Sequence, residues 1–85
     1  MITDSQIRAL RIEARNASDF VQVVICNVAL DDVDTSDADA LDEDGLPDYS
    51  GGGHSAADLA KIRQWLRSTT DDARAECERV IGGAQ

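Results

Sequence analysis

The chain is poor in the residues that usually anchor chemistry. It has two cysteines, one histidine, one proline, one phenylalanine, one tyrosine and one tryptophan in 85 residues. Each scarcity excludes something. A structural zinc site takes about four Cys or His ligands, and two cysteines with one histidine cannot supply them. Two cysteines are also too few for a disulfide scaffold, and no C-x-x-C pair is present. They read first as small buried apolar residues in a reducing cell, with a Cys26–Cys77 bridge or a reactive thiol as the alternatives. With Phe20, Tyr49 and Trp65 as its aromatics, the core must be mainly Val, Ile, Leu and Ala. No apolar run approaches the ~20 residues that cross a bilayer. The opening MITDSQIRAL lacks the charged-then-apolar layout of a signal peptide, so a soluble, cytoplasmic protein is expected. The length fits one small domain over residues 1–85, which buries about 60–65% of its unfolded surface.

Bases are absent where acids are densest. The chain carries 17 acids against 8 bases, a formal charge of −9. Nine of those acids fall in DDVDTSDADALDEDGLPD, Asp31 to Asp48, which holds no Lys or Arg. The eight acids left over match the eight bases, so the whole net charge belongs to this segment. Binding nucleic acid relies on Lys and Arg neutralising phosphates, and an anionic membrane makes the same demand. Neither is expected as a direct partner. A cation or a basic protein surface is compatible.

The flanks predict helices. Thr3 and Gln6 have capping-box spacing, and Ile7, Leu10 and Ala14 follow on one face of a helix over about 4–15. Ser18 or Asp19 can cap a second helix over about 19–30, with Phe20, Val24 and Val28 recurring every four residues and Val21 and Ile25 widening the stripe. This stretch is rich in β-branched residues, so a strand is the competing reading. Ser55 caps a helix over about 56–68, with Leu59, Ile62 and Leu66 inward and Trp65 half-buried beside them. Thr69 or Thr70 caps the last helix, about 70–81, whose apolar face is Ala73, Cys77, Val80 and Ile81. Asp71 and Asp72 meet the positive end of its dipole, and Gly82-Gly83 is expected to end it. Between the two pairs lies an acidic loop, 31–54, where Pro47 and Gly51–Gly53 oppose regular structure and 38–42 can form one helical turn. The expected fold is all-α: two αα-hairpins, packed face to face, joined by the acidic crossover.

Three chemistries compete for the acidic loop. Asp42, Asp44, Gly45 and Asp48 resemble the D-x-D-G-x-x-D core of EF-hand, dockerin and thrombospondin type-3 calcium loops. With Gly45 at loop position 6, however, Ala40 and Gly51 stand where an Asp and a bidentate Glu are needed. Catalysis is not expected: His54 has no nucleophile at a suggestive spacing and reads as an exposed loop residue, and a solvated acidic run does not hold carboxyls in unlike environments. The third reading is a surface that imitates a phosphate backbone. In an extended chain, Asp32/Asp34, Asp37/Asp39 and Asp42/Asp44 lie on one side, about 6.6–6.8 Å apart. Duplex DNA carries one charge per about 1.7 Å of axis, so a single row is sparse unless the segment doubles back.

The leading expectation is therefore a binding protein that docks on a basic, nucleic-acid-binding partner. Asp31, Asp32, Asp34, Asp37, Asp39, Asp42, Glu43, Asp44 and Asp48 would supply charge, with Leu46 and Tyr49 as apolar anchors. The alternatives are a calcium-binding module using Asp42, Asp44 and Asp48, an oligomeric structural or accessory protein, and a solvated spacer.

Two stretches carry a resemblance. TDSQIRALRIEARNASDFVQVVICNVAL and DARAECERVIGGAQ resemble small open reading frames of phages and proteobacteria, with a T-D-x-Q-I-x-x-L-R-x-E-A opening, a D-x-x-Q-V-x-x-C-x-x-A-L second helix and an A-R-A-E-C-x-R-V-I ending. The likeness covers roughly half the chain, at its two ends, and leaves the acidic middle outside it. It implies a helical protein of phage or mobile-element type and, among small acidic phage products, an inhibitor of the anti-CRISPR or anti-restriction kind. It assigns no site.

Overall fold

The computed structural model describes residues 2–32, 40–41, 47–48 and 53–83. Four helices account for most of them, and the fold is all-α. Helix α1 spans Asp4–Asn16, α2 Phe20–Ala29, α3 Ala56–Leu66 and α4 Thr70–Gly83.

The start of each helix follows from a short polar side chain that satisfies a free first-turn amide. Thr3 and Gln6 form the full capping box: Gln6 N–H donates to Thr3 Oγ1 (3.2 Å), and Thr3 N–H donates to Gln6 Oε1 (2.9 Å). Ile2 and Ile7 occupy the two positions of a hydrophobic staple, and both belong to the core. Asp19, rather than Ser18, caps α2 by accepting from Gln22 N–H. Ser55 accepts from Asp58 N–H at 3.1 Å, and Thr69 accepts from Asp72 N–H at 3.1 Å.

Helix α2 is the hub. It carries no charged side chain, and Val23, Val24, Ile25, Cys26, Val28 and Ala29 are buried on nearly all sides. It packs against α1, α3 and α4, and α1 also touches α4. That placement explains why a run rich in Val and Ile is a helix. Each β-branched residue costs a few tenths of a kcal/mol of helix propensity, while burying each such side chain contributes about 1.5–3 kcal/mol. Helices α1 and α2 pack together across the Ala17–Asp19 corner, whereas α3 leans on α2 more than on its neighbour α4. Ile7, Leu10 and Ala14 of α1, Ile62 of α3, and Ala73 and Cys77 of α4 complete the core. Trp65, Leu66, Val80 and Ile81 pack partly buried against it.

Three local expectations are corrected. Helix α4 runs through Gly82 and Gly83, which do not take positive φ, because glycine permits the left-handed turn without imposing it. Ala40–Leu41 is extended, not part of a helical turn: it pairs antiparallel with Pro47–Asp48, Ala40 opposite Asp48 and Leu41 opposite Pro47. Pro47 therefore sits within a short ladder. It is the first residue of its strand in a two-stranded pair, a position where the missing N–H is tolerated.

Candidate partner-binding surface

The acidic segment begins as the C-terminal cap of α2. Leu30 is the cap residue, and Asp31 follows in the left-handed region at φ 53°. Asp31 N–H donates to Val28 O (3.0 Å) and Asp32 N–H to Asn27 O (2.8 Å). These two bonds are the Schellman pattern, here built without glycine. The α1–α2 corner repeats it: Ser18 stands at φ 59°, with Ser18 N–H on Arg15 O and Asp19 N–H on Ala14 O.

Arg11 of α1 fixes the root of the segment from the side. Its Nη1 donates to Asn27 Oδ1 at 2.9 Å and to Asp32 Oδ2 at 3.2 Å. The Arg11 side chain is mostly covered (24% exposed), while the Asp32 side chain is 67% exposed. Asp32 is thus tethered yet still faces water. No local spacing announces this contact, because Arg11 lies 16 positions from Asn27 and 21 from Asp32.

Of the carboxylates expected to meet a partner, Asp31 and Asp32 are described, and both are exposed. Asp48 is placed by its backbone, opposite Ala40. Asp34, Asp37, Asp39, Asp42, Glu43, Asp44, Leu46 and Tyr49 lie outside the described residues. The antiparallel ladder does establish one property of the segment: the chain reverses direction between Leu41 and Pro47. Among the described residues, no group of three or more His, Cys, Asp or Glu is arranged to hold a metal ion.

His54 differs from the exposed loop residue the sequence suggests. It is half-buried and stacks on Phe20, ring centroids 4.6 Å apart and planes 17° from parallel. Gly53, at φ 78°, turns the chain immediately before it. Covering one aromatic face with another removes apolar surface from water, which loop composition alone does not reveal. The pair lines an open hollow of about 350 Å³ with Arg15, Ser18, Asp19 and Val23.

Both cysteines are fully buried and free. They come from helices 51 positions apart in sequence, and their sulfurs are 4.0 Å from each other. The Gln22 amide reaches both, with Nε2 3.6 Å from Cys26 Sγ and 3.9 Å from Cys77 Sγ. A hydrogen bond from Cys77 favours the Cys26 thiolate and lowers its pKa to about 7 against the opposing effect of burial. The same bond, with burial, pushes the Cys77 thiol far up.

Comparison with protein-family models, with curated proteins and with solved structures finds no match to this chain. Among the described residues, no helix is long and apolar enough to cross a membrane.

Proposed function

We propose that this chain is a small acidic binding protein, not an enzyme, that docks its Asp31–Asp48 segment on a basic, nucleic-acid-binding protein and competes there with the phosphate backbone. The observation that carries this reading is the separation of charge. The net charge of −9 belongs to one segment without a base, while the rest of the chain is neutral. Within the helical part, Arg74 pairs with Asp4 and Arg79 with Glu76, while Arg11 pairs with Asp32 at the root of the segment. The reversal between Leu41 and Pro47 supports the mimicry geometrically. Antiparallel pairing sets neighbouring stretches about 4.8 Å apart, against the 6.6–6.8 Å between alternate residues of one extended row. Such a field attracts a cationic partner at a rate that falls as salt screens it over roughly 8 Å. The likeness to small phage reading frames suggests an inhibitor of the anti-CRISPR or anti-restriction kind.

The test is capture from a nuclease-treated bacterial lysate on the immobilised full chain, at low and high salt, followed by competition with duplex DNA. The reading expects a basic nucleic-acid-binding protein that is released by salt and displaced by DNA. Capture that resists both salt and DNA overturns it. A stoichiometric micromolar calcium site found by calorimetry would instead favour the calcium module at Asp42, Asp44 and Asp48. A concentration-dependent dimer in sedimentation, unchanged by neutralising the aspartates, would favour the oligomeric reading.

A further inference from the structure

The geometry points to Cys26 and Cys77 as an oxidisable dithiol, which a small hydroperoxide converts to a disulfide tying α2 to α4. The chain's two cysteines come from separate helices, yet both point into the same buried spot with their sulfurs 4.0 Å apart. A disulfide bond is about 2.05 Å long, so closure needs the sulfurs to approach by roughly 2 Å. The pair lies within the α2–α4 interface, and the crosslink would close a loop that contains the entire acidic segment.

The step balances without any group beyond the peroxide. The Cys26 thiolate attacks one peroxide oxygen, an S–O bond forms, the O–O bond breaks, and the leaving oxygen takes a proton to depart as water or an alcohol. The Cys77 sulfur then attacks the Cys26 sulfenic acid, losing its own proton. The S–S bond forms and the hydroxyl leaves as water. Two electrons pass from the sulfurs to the peroxide. The half-buried Gln22 amide contacts both thiols, and the step requires it to move aside for a molecule the size of hydrogen peroxide. Larger oxidants such as glutathione disulfide are kept out by the burial of both sulfurs.

This inference is independent of the proposed partner. To test it, hydrogen peroxide is added to the folded full-length protein at neutral pH, with a parallel sample in denaturant. The expected product in the native sample has lost two hydrogens in intact mass and both titratable thiols together. Its peptide map links Cys26 to Cys77, dithiothreitol reverses the change, and the oxidised form melts at a higher temperature than the reduced one. The denatured sample gives a smaller share of this intramolecular product. Addition of oxygen to either sulfur as the main native product, crosslinking between chains, or survival of both thiols overturns the proposal. So does an equal intramolecular yield in denaturant.

Discussion

Arg74 Nη1 lies 2.8 Å from Asp4 Oδ1, joining α4 to the first turn of α1 across 70 positions of sequence. The same guanidinium donates to Ile2 O at 3.1 Å and to Ala29 O at 3.3 Å. Carbonyls at the end of α2 lack helical partners; Cys26, Asn27 and Val28 are taken by Leu30, Asp32 and Asp31, and Arg74 takes Ala29. One side chain thus holds three elements. Arg74→Ala should cost about 1–3 kcal/mol in urea unfolding, because it strands part-buried carbonyls as well as breaking an ion pair. Arg74→Lys should recover less than half of that, since an ammonium on one stem cannot serve the three acceptors as a planar fork does.

The pair also makes stability depend on acid pH. The Arg74 hydrogen bond holds the Asp4 carboxyl below its ordinary 3.8, outweighing partial desolvation. A carboxyl depressed in the folded state contributes stability that is fully present above pH 3.8 and is lost as pH falls through its lower folded value. Unfolding midpoints measured across this acid range should fall for the wild type. Asp4→Asn should be less stable at neutral pH and lose less on acidification.

Among the described residues, two that are not glycine occupy left-handed turns, Ser18 at φ 59° and Asp31 at φ 53°. An L-residue there carries a penalty of roughly 1–2 kcal/mol, and glycine offsets it in part by its own chain entropy. Ser18→Gly should therefore raise stability by about 0.5–1 kcal/mol, measured by thermal or chemical unfolding, and Ser18→Val should lower it. Asp31→Gly should behave like Ser18→Gly at high salt.

The sequence disclosed the helices because their signals are local. Thr3, Asp19, Ser55 and Thr69 each satisfy an amide three residues on. Spacing also marked Ile7, Leu10, Ala14, Ile62, Ala73 and Cys77 as inward-facing, and all are buried. What was not legible depends on residues far apart in the chain. An uncharged run announces burial but not that three helices surround α2. Nothing in the spacing of Arg11 or Arg74 foretells Asp32, Ala29 or Ile2 as partners. The contact of Cys26 with Cys77 is equally non-local. Of the acidic site, the sequence marks the charge, and the structure adds its root at Asp31–Asp32 and its reversal between Leu41 and Pro47.

Helix α3 contributes one fully buried side chain, Ile62. Its attachment to α2 should therefore hinge on that residue. Ile62→Ala is expected to cost about 2–5 kcal/mol and Ile62→Val about 0.5–1.5 kcal/mol. Hydrogen exchange in the alanine variant should quicken in α3 before it does in α2.

The measurement closest to the central claim is the salt dependence of binding to the captured partner, compared between the wild type and the combined Asp42→Asn, Asp44→Asn, Asp48→Asn variant. The account predicts weaker binding by the variant and a shallower slope of log affinity against log salt, with helical content unchanged by circular dichroism. Equal affinity and equal slope in a folded variant would contradict it.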